Sequence, residues 1–313
     1  MKQSISEQAG FGITCVDADY VQPGLACFYL MEQKGEYAVL ETGTSHSVAA
    51  LQQILQVRGV SPEQIRYVIP THVHLDHAGG AGAMMALFPA AQLLIHPRGA
   101  RHMVDPTRLV AAAKDVYGES LFASLYGEIV PVDATRIRQM ADGETILLAD
   151  RPLQFRHTRG HAEHHFCVWD ETSRGWFSGD MFGVSYPWCR FSDEDFLLPS
   201  TTPSQFDPAA YVASLEMLAS YAPQQMYLTH SNVLKYTPQK AQLLRRQLAA
   251  YCEFAICCAG DGQALQQQLS DYTIELFSEF DAASDEIALR KKLAFDMQLN
   301  AQGLQVWQQR KER

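Results

Sequence analysis

The stretch Thr71-His72-Val73-His74-Leu75-Asp76-His77-Ala78-Gly79-Gly80 is the most informative part of this chain of 313 residues. It follows residues 65–69 (IRYVI), a short and mostly apolar run that predicts a strand, and it leads into residues 78–88, whose composition is helical. A histidine-rich loop can be a solvated surface turn. Here the spacing of the histidines and the preceding apolar strand favour a metal site instead.

Two pairs of side chains in this loop are predicted to bind two different metal ions. In extended backbone, residues two apart point the same way, so His72 and His74 can bind one ion together. The chain is then expected to turn into a helix at Ala78, so that Asp76 and His77 point elsewhere. One short motif therefore predicts two neighbouring metal sites.

Further candidate ligands follow other predicted strands. They lie in residues 158–161 (TRGH) after strand 153–155, in 178–180 (SGD) after strand 176–177, and in 229–230 (TH) after strand 226–228. Because every candidate stands at a strand end, we expect two sheets packed face to face, with helices outside and the ligands along one rim.

These segments, HxHxDH, then GH, then GD, then a late histidine, resemble in kind and order the metallo-β-lactamase superfamily over roughly residues 20–230. The resemblance implies an α/β protein with the αββα sandwich of that fold. It also implies seven metal ligands: His72, His74 and His161 for the first ion, Asp76, His77 and His230 for the second, and Asp180 bridging both.

The resemblance further implies a dinuclear-metal-dependent hydrolase whose nucleophile is a metal-bridging hydroxide. Zinc is the expected metal, with iron or manganese as alternatives. Two divalent ions against two aspartates leave an excess charge that the hydroxide reduces to about +1, which suits stabilisation of one more anion. Asp76 is expected to take part in catalysis by orienting the hydroxide or accepting its proton. The substrate classes that remain open are small esters, thioesters, lactones and phosphodiesters.

Two positions depart from the family's pattern. Many relatives have an aspartate before a glycine near the end of the first strands, where this chain has Glu41-Thr42-Gly43. The last motif reads Thr229-His230-Ser231 rather than glycine-histidine. Both changes are expected to affect the surroundings of the ligands and not their number.

Three further residues are candidates for the surroundings of the site. His165, four residues after His161, is predicted either to orient a ligand or substrate or simply to occupy a strand. Tyr186 and Trp188 follow Asp180 closely and are predicted to line a pocket that fits an apolar acyl or aryl group. The alternative is that these rings pack beneath the helices of the tail.

The chain beyond Gln239 has helical spacing and little strand punctuation. We therefore predict a metallo-β-lactamase core over residues 1–236 and a helical extension over 237–313 that packs on it. The extension is expected to serve as a lid over the pocket, or as a surface for a partner protein or a homodimer.

Charge and hydropathy restrict the partners. The chain has 35 acidic and 25 basic residues and a formal charge of −10, which disfavours a nucleic-acid substrate and leaves a small molecule. Residues 1–11 lack the pattern of a secretory signal and no later run is long enough to span a bilayer, so a cytoplasmic protein without membrane contact is expected.

Two other functions remain open on the sequence. One is an iron-dependent redox enzyme, either an oxygen-binding di-iron protein or a persulfide dioxygenase. The di-iron reductases resemble HxExDH, and His74 argues against them, whereas persulfide dioxygenases keep this histidine. The other is a metal-containing signalling or binding protein with little turnover.

Overall fold

The computed structural model describes residues 6–191, 194–201, 205–230 and 233–311. The chain forms two compact units. The first, here called the sheet unit, comprises Met1–His157, His164–Gly179 and Pro223–Lys235. The second, here called the helical unit, comprises Thr158–Glu163, Asp180–Ala222 and Tyr236–Arg313. The predicted division into residues 1–236 and 237–313 stays a prediction.

The first sheet contains seven strands, paired in the order in which they occur along the chain. They are β1 (Ser6–Gly10), β2 (Ile13–Asp17), β3 (Cys27–Gln33), β4 (Glu36–Leu40), β5 (Ile65–Ile69), β6 (Gln92–Ile95) and β7 (Ile137–Gln139). Strands β1 to β4 are antiparallel, and β4 to β7 are parallel. Lys34 and Gly35, both with positive φ, form the tight turn between β3 and β4.

The second sheet contains six strands, and the helical unit adds a two-stranded ribbon. The remaining strands are β8 (Thr145–Leu148), β9 (Arg151–His157), β10 (Phe166–Asp170), β11 (Gly175–Gly179), β12 (Arg190–Phe191), β13 (Glu194–Asp195), β14 (Gln225–Leu228) and β15 (Val233–Lys235). The six-stranded order is β15-β14-β11-β10-β9-β8, with only β11 and β14 parallel among these pairs, and β12 pairs with β13.

Ten α-helices occur in the described residues. They are α1 (Val48–Arg58), α2 (Leu75–Ala78), α3 (Ala81–Leu87), α4 (Pro97–Val104), α5 (Thr107–Tyr117), α6 (Glu119–Tyr126), α7 (Pro208–Ser220), α8 (Pro238–Cys257), α9 (Gly262–Ser278) and α10 (Glu286–Lys311). None of these helices is long and apolar enough to cross a membrane.

Alternation along the strands divides the apolar side chains of the sheet unit between two cores. Tyr29 belongs to the core shared by both sheets, and its ring meets that of Phe177 edge-on at 5.3 Å. Leu30, the next residue, belongs to the core on the other face of the first sheet, with Leu51 of α1 and Met84 of α3. Successive strand residues point to opposite faces of the sheet, so both faces of β3 are buried. The two facing sheets with outer helices agree with the expectation.

The helix after the histidine-rich loop begins earlier than predicted. The expectation placed its start at Ala78, whereas α2 begins at Leu75 with His74 as the preceding extended residue (φ −62°, ψ 146°). Leu75 is buried, and it packs against Phe122 and Tyr126 of α6. The burial of Leu75 favours a helix that begins at this residue. Asp76 and His77 therefore lie within the helical turn of α2.

Candidate metal centre

His72 and His74 follow β5 and bring two ring nitrogens together. Nε2 of His72 lies 2.8 Å from Nδ1 of His74, and the two rings meet at 79°. His72 is fully buried and His74 is partly buried. Two imidazole nitrogens that converge from residues two apart are the arrangement expected of a shared metal ion.

A second group in the sheet unit combines α2 with the end of β14. Ligand atoms of Asp76, His77 and His230 all lie within 4.8 Å of one another. Nε2 of His230 is 3.1 Å from Oδ2 of Asp76, and Nε2 of His77 is 3.7 Å from the same oxygen. These three residues could hold a metal ion.

Hydrogen bonds fix which ring nitrogen carries the proton. Nδ1 of His77 lies 3.2 Å from Oε1 of Glu41, and Nδ1 of His230 lies 3.0 Å from the carbonyl oxygen of Leu25. Carboxylate and carbonyl oxygens only accept, so both Nδ1 atoms donate, and when the rings are neutral both Nε2 atoms keep a lone pair. The Nε2 atoms of His77 and His230 are therefore the ones suited to bind metal.

The same reasoning assigns the tautomer of His72 through a hydroxyl. Thr71 donates its hydroxyl proton to Oε1 of Glu41 at 2.6 Å. The same hydroxyl oxygen, Oγ1 of Thr71, lies 3.1 Å from Nδ1 of His72. Because the hydroxyl proton is engaged, the Thr71 oxygen accepts from Nδ1 of His72. Nε2 of His72, which faces His74, keeps its lone pair.

Glu41 connects the segments that carry these histidines. It follows β4 with φ of 63°, a conformation unusual for a residue with a side chain, and is 2% exposed. Besides His77, its carboxylate accepts from the backbone nitrogen and hydroxyl of Thr71 and from the hydroxyl of Thr229. The sequence identified Glu41 only as a departure from a pattern. The threonine that precedes both His72 and His230 is the signal that could have indicated its role.

The helical unit carries the two remaining predicted ligands. Nε2 of His161 lies 3.4 Å from Oδ2 of Asp180, and both residues are buried. Nδ1 of His161 donates to the carbonyl oxygen of Ser200 at 3.1 Å, so Nε2 of the neutral ring again keeps its lone pair. Tyr211 donates its hydroxyl proton to the backbone oxygen of Asp180 at 2.9 Å.

The donor set fits a divalent metal. In the sheet unit the Nε2 atoms of His77 and His230 stand beside a carboxylate oxygen of Asp76, and in the helical unit that of His161 stands beside Asp180. Such donors suit zinc, iron or manganese better than calcium or magnesium, which prefer oxygen alone. The assignment of seven residues to two particular ions stays a prediction.

A family model for the metallo-beta-lactamase superfamily matches residues 23–230. The chain belongs to the metallo-beta-lactamase superfamily. The predicted α/β class, with the metallo-beta-lactamase fold and helices at the C-terminal end, is confirmed.

Three members of known sequence are similar to this chain. The metallo-beta-lactamase fold-containing protein ST1585 of Sulfurisphaera tokodaii is 22% identical over 228 residues, 71% of this chain and 79% of that protein. An atrochrysone carboxyl ACP thioesterase of Pseudocercospora fijiensis is 25% identical over 85% of this chain and 68% of its own length. The human acyl-coenzyme A thioesterase MBLAC2 is 26% identical over 58% of this chain and 68% of its own length.

A solved structure shows the same fold. The crystal structure of ST1585 from Sulfolobus tokodaii has a TM-score of 0.66 and 19% identity, and the match covers 94% of this chain and 98% of that one.

In this metallo-beta-lactamase family member, His165 lies in the histidine cluster of the sheet unit. It is fully buried, and its ring centroid is 4.9 Å from that of His72. The neighbouring His164 accepts a long hydrogen bond of 3.5 Å from the backbone nitrogen of Val73. These positions suit support of the ligands, and the predicted role of His165 stays a prediction.

Tyr186 and Trp188 contact each other and α10 within the helical unit. Their rings stack at 4.8 Å, the Tyr186 hydroxyl donates to Asp296 at 2.6 Å, and Lys292 lies 5.2 Å from the centre of the Trp188 ring. These contacts favour packing against the tail helices. The role of the two rings in substrate binding stays a prediction.

Proposed function

We propose that this chain is a dinuclear-metal-dependent hydrolase that cleaves a small thioester or ester. The observation that carries the proposal is the common protonation pattern of His72, His77, His161 and His230. In each, Nδ1 donates to a fixed acceptor, so the neutral ring presents the lone pair of Nε2. Four histidines held in the ligand tautomer are difficult to explain by packing alone.

The proposed ligands are those implied by the superfamily's motif. His72, His74 and His161 would bind one ion, Asp76, His77 and His230 the other, and Asp180 both. Zinc is the proposed metal. When bound, two such ions lower the pKa of a water molecule and stabilise the oxyanion that forms when a carbonyl is attacked.

Asp76 is proposed to accept the proton of the attacking water. Its side chain remains 20% exposed, while His77 beside it is buried. One carboxylate oxygen faces His230 and His77, and a carboxylate has a second oxygen that can accept a hydrogen bond from water. Asp76 can therefore orient the attacking water and receive its proton.

The thioester class is supported by the relatives. Two of them, which cover 85% and 58% of this chain, are named thioesterases.

The test combines metal analysis with a hydrolysis screen. Purified protein should contain two equivalents of zinc and should hydrolyse acyl thioesters faster than lactones or phosphodiesters. Asp180→Asn should reduce the rate more than the ~10–100-fold typical of residues that only support a ligand. His102→Asn, a change of a histidine on α4, is the matched control and should leave the rate unchanged.

Other outcomes would overturn the proposal. Iron in the isolated protein together with oxygen uptake on a thiol substrate would support the redox alternative. Bound metal without turnover of any substrate class would support a binding protein. Protein that takes up no metal would exclude all three functions.

A further inference from the structure

The two departures from the superfamily's pattern contact each other in the structure. Glu41 stands where many relatives have aspartate, and Thr229 stands where they have glycine. The Thr229 hydroxyl donates to Oε1 of Glu41 at 2.9 Å, although 188 positions separate the residues. Both side chains are buried, with Thr229 1% and Glu41 2% exposed.

The Glu41 carboxylate accepts from four donors, three of which share one oxygen. Oε1 lies within hydrogen-bond distance of the hydroxyls of Thr71 and Thr229 and of Nδ1 of His77. Oε2 accepts from the backbone nitrogen of Thr71. At this burial, a donor that is removed leaves a desolvated charge with one partner fewer.

The Thr229 hydroxyl also joins two segments that carry predicted ligands of the same ion. Thr229 precedes His230, and its backbone oxygen accepts from the nitrogen of Cys27 at 2.8 Å, which fixes the segment on β3. Glu41 holds His77 directly. The hydroxyl therefore ties the His230 segment to the carboxylate that orients His77.

The chemistry of the pair suggests compensation. Glutamate is longer than aspartate by one methylene group, and its carboxylate reaches Thr229. A glycine at position 229 would have no hydroxyl to offer this carboxylate. An aspartate at position 41 would withdraw the carboxylate and leave the Thr229 hydroxyl without its acceptor.

We propose that Glu41 and Thr229 form one positioning pair that sets the affinity of the Asp76–His77–His230 site for its metal ion. The inference rests on the proposed metal centre. Both residues are buried and act through the ligand histidines. Glu41 accepts from Nδ1 of His77 and so fixes the tautomer of that ring, and Thr229 donates to Glu41. Glutamate at position 41 therefore requires threonine at position 229, whereas the common pattern combines aspartate with glycine.

The test is a double-mutant cycle read out as zinc affinity. Glu41→Asp and Thr229→Gly should each weaken binding of the second zinc equivalent by ~10–100-fold, as loss of a partner that orients a ligand does. The double variant, which restores the common pattern, should return to within about threefold of the wild type because the two effects are coupled. Competition with a chromophoric chelator measures these affinities.

A second pair of variants keeps the test valid if the glycine variant does not fold. Thr229→Ser retains the hydroxyl and should keep zinc affinity near that of the wild type, whereas Thr229→Val retains the shape and should lose affinity. Thr14→Val is the matched control, because Thr14 is also a buried threonine of the sheet unit that accepts from Arg58 at 2.8 Å. It should leave zinc affinity unchanged.

The outcomes separate this inference from the proposed function. If the wild type binds no zinc, the proposed function fails. If the wild type binds two equivalents and the losses of Glu41→Asp and Thr229→Gly simply add, the pairing fails alone. Equal zinc affinity of Thr229→Val and the wild type would also overturn the pairing.

Discussion

Arg151 and Asp170 form a buried, two-pronged ion pair between neighbouring strands β9 and β10. Nε of Arg151 donates to Oδ1 of Asp170 at 2.8 Å, Nη2 donates to Oδ2, and the side chains are 1% and 0% exposed. Asp170 also accepts from the backbone and hydroxyl of Ser173, and Arg151 donates to the carbonyl oxygen of Phe11. The pair therefore anchors the turn after β10 and the segment between β1 and β2.

Replacement of one partner of this pair should destabilise the sheet unit strongly. Asp170→Asn leaves the Arg151 guanidinium buried without its counter-charge, so the free energy of unfolding should fall by about 3–5 kcal/mol. Equilibrium denaturation in urea measures the change. Metal-binding residues are not involved, so the loss should also occur in protein freed of metal.

An exposed ion pair provides the control for this prediction. Arg246 and Glu279 lie 3.2 Å apart with both side chains 53% exposed. Arg246→Ala should lower the free energy of unfolding by no more than about 1 kcal/mol, because solvent screens the pair. Equal losses for the two variants would show that the buried pair contributes no more than an exposed one.

Metal should stabilise the protein through His230. If Asp76, His77 and His230 hold one ion, His230→Gln should bind one equivalent fewer, and a chelator should lower its melting temperature less than that of the wild type. Elemental analysis and thermal scans with and without EDTA measure both effects. His102→Gln is the matched control, and unchanged metal content in His230→Gln would contradict the assignment.

Gly160, next to His161, should not tolerate a side chain. Its φ is 127°, and a Cβ there would lie 2.3 Å from Cα and 2.4 Å from the nitrogen of Tyr211. These are backbone atoms of α7, so the clash cannot be relieved by a rotamer change. Gly160→Ala should therefore displace His161 and lower both the melting temperature and the metal content.

Gly260 separates the clash from the effect of backbone conformation. Its φ is 80°, and nothing lies within 4 Å of a Cβ added there. Gly260→Ala should cost only the ~1 kcal/mol of a left-handed residue with a side chain, with no change in metal content. If Gly160→Ala behaves in the same way, the contact with Tyr211 is not a constraint on His161.

The strand ends that carry candidate ligands could be predicted from sequence, whereas their acceptors could not. Histidine and aspartate have recognisable chemistry, and the apolar runs before them mark strands. The partner of His230 is the backbone oxygen of Leu25 and that of His161 is the backbone oxygen of Ser200. Every residue has a carbonyl group, so residue identity indicates nothing about these contacts. They depend on the fold.

Long-range side-chain pairs cannot be predicted from the sequence for a related reason. Glu41 and Thr229 are 188 positions apart, and nothing in the sequence indicates that these two departures meet. His96 and His157 are also far apart in the sequence, and their ring centroids lie 4.1 Å apart. His96 follows β6 of the first sheet and His157 ends β9 of the second, so it is the packing of the two sheets within the sheet unit that places them side by side.

His96 should make the stability of the protein depend on pH. Burial, the nearby His157 and the charge of Arg98 lower the pKa of His96 from 6.5 to about 4. The neutral ring also begins α4, because its Nδ1 accepts from the backbone nitrogen of Arg98 at 3.1 Å. Protonation at Nδ1 would remove this acceptor. The unfolded chain has no such constraint, and its histidine titrates near pH 6.5.

The direction of the effect follows from the number of protons bound by each state. Above pH 6.5 both states are neutral at His96, and between pH 6.5 and pH 4 only the unfolded chain takes up the proton. The free energy of unfolding should therefore fall as the pH drops through this window. His96→Asn keeps a good helix-starting residue that does not titrate, so it should lose less stability over the same range. Urea denaturation at pH 7, 6 and 5 measures the comparison. A difference between the two proteins that stays constant with pH would show that His96 takes up its proton equally in both states.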